Sequence, residues 1–135
     1  MGSGGYEALS VVYLDTHVAV WLHDGLVEKL TAAATDAMEA SAMLLSPMVY
    51  LEFAYLYRRG RICVPAATLY ANLNTSFGVS LCGQSFAAVS AMASEVEWTN
   101  DPFDRIIVAQ AKCNGNSRLI TADELIRSKY ERALW

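Results

Sequence analysis

At 135 residues the chain is the size of one domain, and its 54% hydrophobic and 18% charged residues exclude a disordered tail. A net charge of −4 lacks the basic balance of a broad nucleic-acid binder but does not exclude nucleic acid, because carboxylates that share a pocket with divalent cations would present a weaker field than their formal count. No apolar run approaches a bilayer span, and three scattered cysteines (Cys63, Cys82, Cys113) without a C-x-x-C pair read as small buried hydrophobes in a reducing cytoplasm.

The opening MGSGGYEALS lacks the basic and long apolar regions of a signal peptide. Residues 1–9 are expected to be a flexible start or an appended scar, and 10–135 a single domain. SVVYLDT (10–16) is a short β-branched run ending in an acid, which predicts a buried strand with a helix beginning at THVAVWLHD. LVEKLTAAATDAMEAS (26–41) is alanine-rich with its charges on one side and predicts a helix. AMLLS (42–46) predicts a second strand. Ser46 and Pro47 have N-cap and N1 character, so PMVYLEFAYLYRRG follows as a helix ending at Gly60. Residues 65–77 read as helix, VSLC (79–82) as strand and 84–96 as helix. DPFDRIIVAQAKCNG (101–115) is a helix closed by Gly115. RLIT (118–121) is a strand, ADELIRSKY a short helix, and ALW a last edge strand.

Strands alternating with helices, with inner strands apolar on both faces, predict an α/β fold whose mainly parallel sheet is covered by helices. Ligands of such sheets bind beyond the carboxyl ends of the strands. From Ile62 to Ser94 there is no Asp, Glu, Lys, Arg or His. That stretch is expected to be deeply buried or partly covered by another chain.

Four acids interrupt apolar surroundings. Asp15 and Asp123 follow predicted strands and point into the ligand crevice. Glu52 shares a helical face with Met48, Tyr55 and Leu56, and Asp104 one with Ile107, Val108 and Ala111. A lone buried carboxylate is costly, so it must be paired, protonated or metal-bound. Each also has an ordinary structural reading: Asp15 bonding the next turn, Glu52 paired with an arginine, Asp104 in a capping-box-like start and Asp123 as an N-cap. Asp101, ahead of Pro102, reads as a cap. Four acids gathered at one sheet edge repel each other unless cations lie between them. An all-oxygen set suits Mg²⁺ or Mn²⁺ rather than zinc, and such ions serve in-line hydrolysis of phosphodiesters by an activated water.

YLDT, PMVYLEFAYL, NDPFDRIIVAQA, and LITADELI closing with ALW resemble, in order and size, the PIN-domain ribonucleases, with the greatest likeness to VapC toxins of bacterial toxin–antitoxin pairs. The resemblance covers nearly the whole chain, from about Val11 to Trp135. It implies a three-layer α/β/α sandwich and Mg²⁺- or Mn²⁺-dependent endonuclease action on RNA. The family's metal-binding catalytic acids map onto Asp15, Glu52, Asp104 and Asp123. Thr16 and Thr121 fit its small hydroxyl residues beside the acids, and Asp101 supports the site as well as capping. The resemblance also implies homodimerisation and a cognate antitoxin that blocks the acidic pocket.

Substrate contacts are read from charge alone. Arg58, Arg59 and Arg61 form a basic cluster at a helix end, either a helix cap or a phosphate clamp. Arg105 is either an RNA contact or half of an ion pair. His17 and His23 lack metal-ligand spacing, and Trp21, Trp98 and Trp135 read as core. A haloacid-dehalogenase-like phosphatase needs an acid where His17 stands, and a receiver domain needs a lysine where Ala122-Asp123 follows LIT. The rival from another class is a catalytically silent PIN-like metal-binding module acting through protein partners. The RNA target, transfer or ribosomal, is not legible in the sequence.

Overall fold

In the computed structural model, which describes residues 10–135, VVYL forms the first strand, β1 (Val11–Leu14). The expected flexible start over 1–9 lies outside the described residues. The chain continues through α1 (Thr16–Asp24), a 3-10 turn (Val27–Lys29), α2 (Ala32–Glu39), β2 (Ala42–Leu45), α3 (Pro47–Arg58) and α4 (Ala66–Phe77). It then runs through β3 (Ser80–Leu81), α5 (Phe86–Ala93), α6 (Pro102–Cys113), β4 (Arg118–Ile120), α7 (Glu124–Lys129) and β5 (Ala133–Leu134).

The strands form one sheet in the order β3-β2-β1-β4-β5, every neighbouring pair parallel. Tyr13 lies opposite Leu44 of β2 on one side and Leu119 of β4 on the other. β1 is apolar throughout because it is central: Val12, Tyr13 and Leu14 are buried together with Leu45, Leu119 and Ile120. Helices flank the sheet, as expected, and seal the core with Val18, Val49, Phe53, Leu69, Leu73, Ile107 and Val108. The order reverses at β1: the chain builds outward to β3, then crosses back to β4. The carboxyl ends of β1 and β4 therefore border a topological switch point, where open α/β sheets leave a crevice. Among the described residues no helix is long and apolar enough to cross a membrane.

Five expectations are corrected. The helix expected over 26–41 is broken, because Thr31 adopts an extended conformation and accepts the Ala34 N–H at 3.1 Å as N-cap of α2, leaving Val27–Lys29 as a separate 3-10 turn. The helices expected over 101–115 and 84–96 are shorter; α6 stops at Cys113 and Gly115 turns the chain with φ +65°, while Ser85 caps α5 through the Ala88 N–H. The uncharged 62–94 stretch is not deep: α4 buries one residue per turn (Ala66, Leu69, Leu73), and α5 leaves Phe86 70% exposed. Cys63 is exposed as well, and Cys82 is the only cysteine fully buried; all three are free thiols.

Candidate active site

Helices that follow or precede parallel strands run back along the sheet, so the N-terminal ends of α1, α3 and α6 meet the carboxyl ends of β1 and β4. There a cavity of about 360 Å³ is lined by Asp15, Glu52, Asp101, Asp104 and Asp123, with Thr16, His17 and Trp21 completing its wall. No lysine or arginine lines it. The four acids that the sequence singles out thus share one crevice, although they come from positions up to 108 residues apart.

Each acid is held by local chemistry. Asp15 is the N-cap of α1 and accepts the Thr16 N–H at 2.9 Å; its other oxygen accepts the buried Thr121 hydroxyl at 2.6 Å. Its own N–H donates to Ile120 at 3.0 Å and locks it to the end of β4. Glu52 accepts the hydroxyl of Thr16, which is fully buried. Asp123 caps α7 through the Ile126 N–H at 2.9 Å, using one oxygen, and its own N–H donates to Thr121 at 3.0 Å. Asp101 caps α6 through the Phe103 N–H at 2.9 Å. Thr16 and Thr121 therefore orient Glu52 and Asp15 from beneath the cavity, and the capping and crevice readings of Asp15, Asp101 and Asp123 hold together.

The electrostatics follow from crowding. Burial holds the carboxyl pKa of Asp15 above its ordinary value, against the opposing bonds from Thr121 and the Thr16 N–H. Burial likewise raises Glu52, opposed by the Thr16 hydroxyl and reinforced by Asp15. Asp104 is pushed from 3.8 up to about 7 by burial first and then by Asp101, Asp15, Asp123 and Glu52. The arrangement stores negative charge against its own repulsion, as a cation site does.

A family model described as PIN domain matches residues 12–131. The chain belongs to the PIN-domain family. It is of the VapC type: Ribonuclease VapC22 of Mycobacterium tuberculosis (strain ATCC 25618 / H37Rv) is 32% identical over 123 residues, covering 89% of this chain and 92% of the relative. Among solved structures, the crystal structure of VapBC2 from Rickettsia felis bound to a DNA fragment from their promoter aligns with a TM-score of 0.56 at 14% identity, covering 87% of this chain and 92% of that one. That likeness is one of fold.

The basic residues of this PIN domain part company. Arg105 neither lines the acidic cavity nor forms an ion pair among the described residues. Its Nε and Nη2 donate to the carbonyls of Ala93 and Ser94, at 3.2 and 3.3 Å, because α5 ends beside it and the last carbonyls of a helix have no partner within the helix. Arg58 is exposed and lines neither the acidic cavity nor its neighbour, whereas Arg59 lines the adjoining cavity together with Glu52 and Asp101. His17 and Trp21 reach the acidic cavity although spacing gave neither a role. His17 follows Asp15-Thr16 directly, so its place at the first turn of α1 was the available clue. Trp21 packs 5.9 Å from Trp135, and Trp98 and Trp135 are the tryptophans that pack against the core, as expected.

The donor set suits a hard divalent ion: carboxylate oxygens from four separate segments, two buried hydroxyls behind them and no competing cation. Among the described residues no three of these groups already close around a common point. Mg²⁺ keeps several of its waters and needs only one or two direct carboxylates, so a closed cage is not required. A second cavity, of about 300 Å³ between α3, α5 and α6, is walled by Met48, Leu51, Phe86, Val89 and Ile106 and carries no titratable side chain. The titratable side chains gather at the acidic cavity instead.

Proposed function

We propose that this PIN domain is a divalent-metal-dependent endoribonuclease, the toxin of a VapC-type toxin–antitoxin pair. The observation that carries the reading is the convergence of Asp15, Glu52, Asp104 and Asp123 on one cation-free crevice at the switch point of the sheet. The likeness to Ribonuclease VapC22 directs the chemistry to RNA.

Asp15, Asp104 and Asp123 would hold Mg²⁺ or Mn²⁺, with Glu52 contributing directly or through water. When bound, the ion supplies an acidified water and neutralises charge on the scissile phosphate. The residues of the chain do the rest. Thr121 and Thr16 fix the rotamers of Asp15 and Glu52. The positive ends of α1 and α6 offset part of the carboxylate charge and draw phosphate oxygens toward the crevice. Burial and the neighbouring acids raise the pKa of Asp104, so its ionised form depends on a cation.

An antitoxin and a second copy of the chain are the partners this reading implies, and the exposed Leu51 and Phe86 support a protein-covered surface. The three free thiols fit the reducing cytoplasm in which such a toxin would act. The decisive experiment incubates purified protein with total bacterial RNA and Mg²⁺ or Mn²⁺, with and without EDTA, beside Asp15→Asn. Metal-dependent cleavage that EDTA and Asp15→Asn both abolish is the expected result. Intact RNA under every metal, with no toxicity on expression, would leave a silent binding module instead.

A further inference from the structure

We propose that the groove extends past the carboxylates into a subsite for a nucleotide next to the cleaved bond, with its phosphate on Arg59 and its base against Tyr55 and Phe103. The inference rests on the ribonuclease reading and adds a place and a chemistry for substrate recognition. A cavity of about 420 Å³ adjoins the acidic one, and Glu52 and Asp101 line both, so the two form a continuous depression.

The far wall of this second cavity differs in kind. Arg59 is the only lysine or arginine lining either cavity. It is exposed at the C-cap of α3, and its side chain makes no ion pair among the described residues, where His23–Asp24 is the only pair within 4.0 Å. A free guanidinium beside two carboxylates that do not engage it is a charge left for a third group, and a phosphodiester matches its fork. Two aromatic rings line the same cavity, Tyr55 one helical turn before Arg59 on α3 and Phe103 on α6. Tyr55 is 40% exposed and meets Phe103 edge to face, with centroids 5.6 Å apart and planes at 87°. That contact braces the Tyr55 ring and leaves aromatic surface at the cavity wall, which is how proteins hold unpaired RNA bases.

The neighbouring arginines lack this setting. Arg105 is engaged by the carbonyls at the end of α5, and Arg58 lines neither cavity. One residue along a helix rotates a side chain by roughly 100°, enough to put Arg59 on the groove and Arg58 off it.

The test uses the full chain carrying Asp104→Asn, to prevent turnover, and a fluorescein-labelled mixed-sequence single-stranded RNA 12-mer in Mg²⁺ across a KCl series. Adding Arg59→Ala should weaken binding about tenfold and reduce the salt slope by roughly 0.7, the value of one phosphate contact on a single strand. Arg58→Ala should change binding less than about twofold, the behaviour of a solvated charge beyond contact range. Tyr55→Leu should weaken binding several-fold and Tyr55→Phe should preserve it. In the otherwise wild-type chain, Arg59→Ala should raise KM for RNA cleavage and leave kcat unchanged.

Equal losses from Arg58→Ala and Arg59→Ala, or none from Arg59→Ala, would overturn the subsite while cleavage by the parent chain kept the nuclease reading alive. RNA binding that depends on Arg59 without any cleavage would support the subsite and overturn the nuclease reading. Neither binding nor cleavage would overturn both. Both arginine positions and Tyr55 are exposed, and melting curves of each variant separate loss of contact from loss of fold.

Discussion

Thr121 donates its buried hydroxyl to Asp15 Oδ2 at 2.6 Å, joining the ends of two adjacent central strands across 106 positions of sequence. Thr121 Oγ1 also accepts the Asp123 N–H at 3.0 Å, so one hydroxyl positions two of the four crevice acids. Thr121→Val keeps the shape and removes both bonds. It should lower Mg²⁺ or Mn²⁺ affinity by about 10- to 100-fold, the usual effect of losing a group that orients ligands. Folding stability should fall by about 1–3 kcal/mol, because the Asp123 N–H loses its acceptor and Asp15 its donor. Thr121→Ser should restore both. Calorimetric metal titration and denaturant unfolding check the pair, and an unaltered affinity in the valine variant would deny Thr121 this role.

The carboxyl of Asp104 sits at about 7 in the folded chain against an ordinary 3.8, raised by burial and four neighbouring acids. The folded state then holds the proton more tightly than the unfolded one. As pH rises through the window between those two values, the unfolded state ionises first, and the folded state loses stability. Asp15 and Glu52 shift in the same direction. The metal-free chain should therefore melt lower at pH 8 than at pH 5 on account of these groups. Asp104→Asn should raise the melting temperature at pH 8 by a few degrees, raise it less at pH 5, where only the first part of the window between 3.8 and about 7 has been crossed, and abolish cleavage. Thermal scans in EDTA at both pH values test this. A variant destabilised at pH 8 would mean that the Asp104 carboxylate is satisfied within the fold.

Divalent ions should act as the missing counter-charge. With Mg²⁺ or Mn²⁺ at a hundred times its Kd, the folded state gains about 2.7 kcal/mol by mass action. Protons compete for Asp104, so the gain should be larger at pH 8 than at pH 6, and RNA cleavage should rise over the same interval. EDTA should reverse the gain, and Asp15→Asn should remove it. A melting temperature indifferent to both ions at pH 8 would separate this crevice from metal binding.

Much of this was legible in the sequence because it is local. Short apolar runs gave β1, β2 and β4, and three- and four-residue spacing gave the inward faces of Glu52 and Asp104. For Asp15 and Asp123, local capping and crevice lining were competing readings, whereas Asp101 read as a cap that also supports the site. The structure satisfies both, since a carboxylate has two oxygens and a capping bond occupies only one. The resemblance to PIN domains added the joint assignment, and the geometry brings the four acids to one cavity.

What stayed hidden depends on packing between distant segments. Arg105 stands next to Asp104 in sequence, yet its direction is set by where α5 ends, a fact no spacing encodes. Arg58 and Arg59 are indistinguishable as letters and differ by a helical rotation against a groove built partly by α6. Thr31 splits a helix that alanine content alone would continue, because its hydroxyl offers the backbone a competing bond.

A buried polar link ties the two helices that carry Glu52 and Asp104. Ser46, N-cap of α3, donates to Gln110 Oε1 of α6 at 2.9 Å, and Gln110 Nε2 donates to Gln84 at 3.3 Å. Ser46 is 0% and Gln110 2% exposed, so water cannot replace the bond. Gln110→Leu fills similar space but strands the Ser46 hydroxyl proton, which should cost about 1–3 kcal/mol. Ser46→Ala alone removes the cap on the Met48 N–H and should cost about 1 kcal/mol. The double variant should be more stable than the sum of the two losses implies, because removing both partners leaves no buried hydroxyl without a bond. Denaturant unfolding of the four proteins closes the cycle. Strict additivity would mean that α3 and α6 are held together by apolar packing alone, and that the spacing of Glu52 and Asp104 owes nothing to this bond.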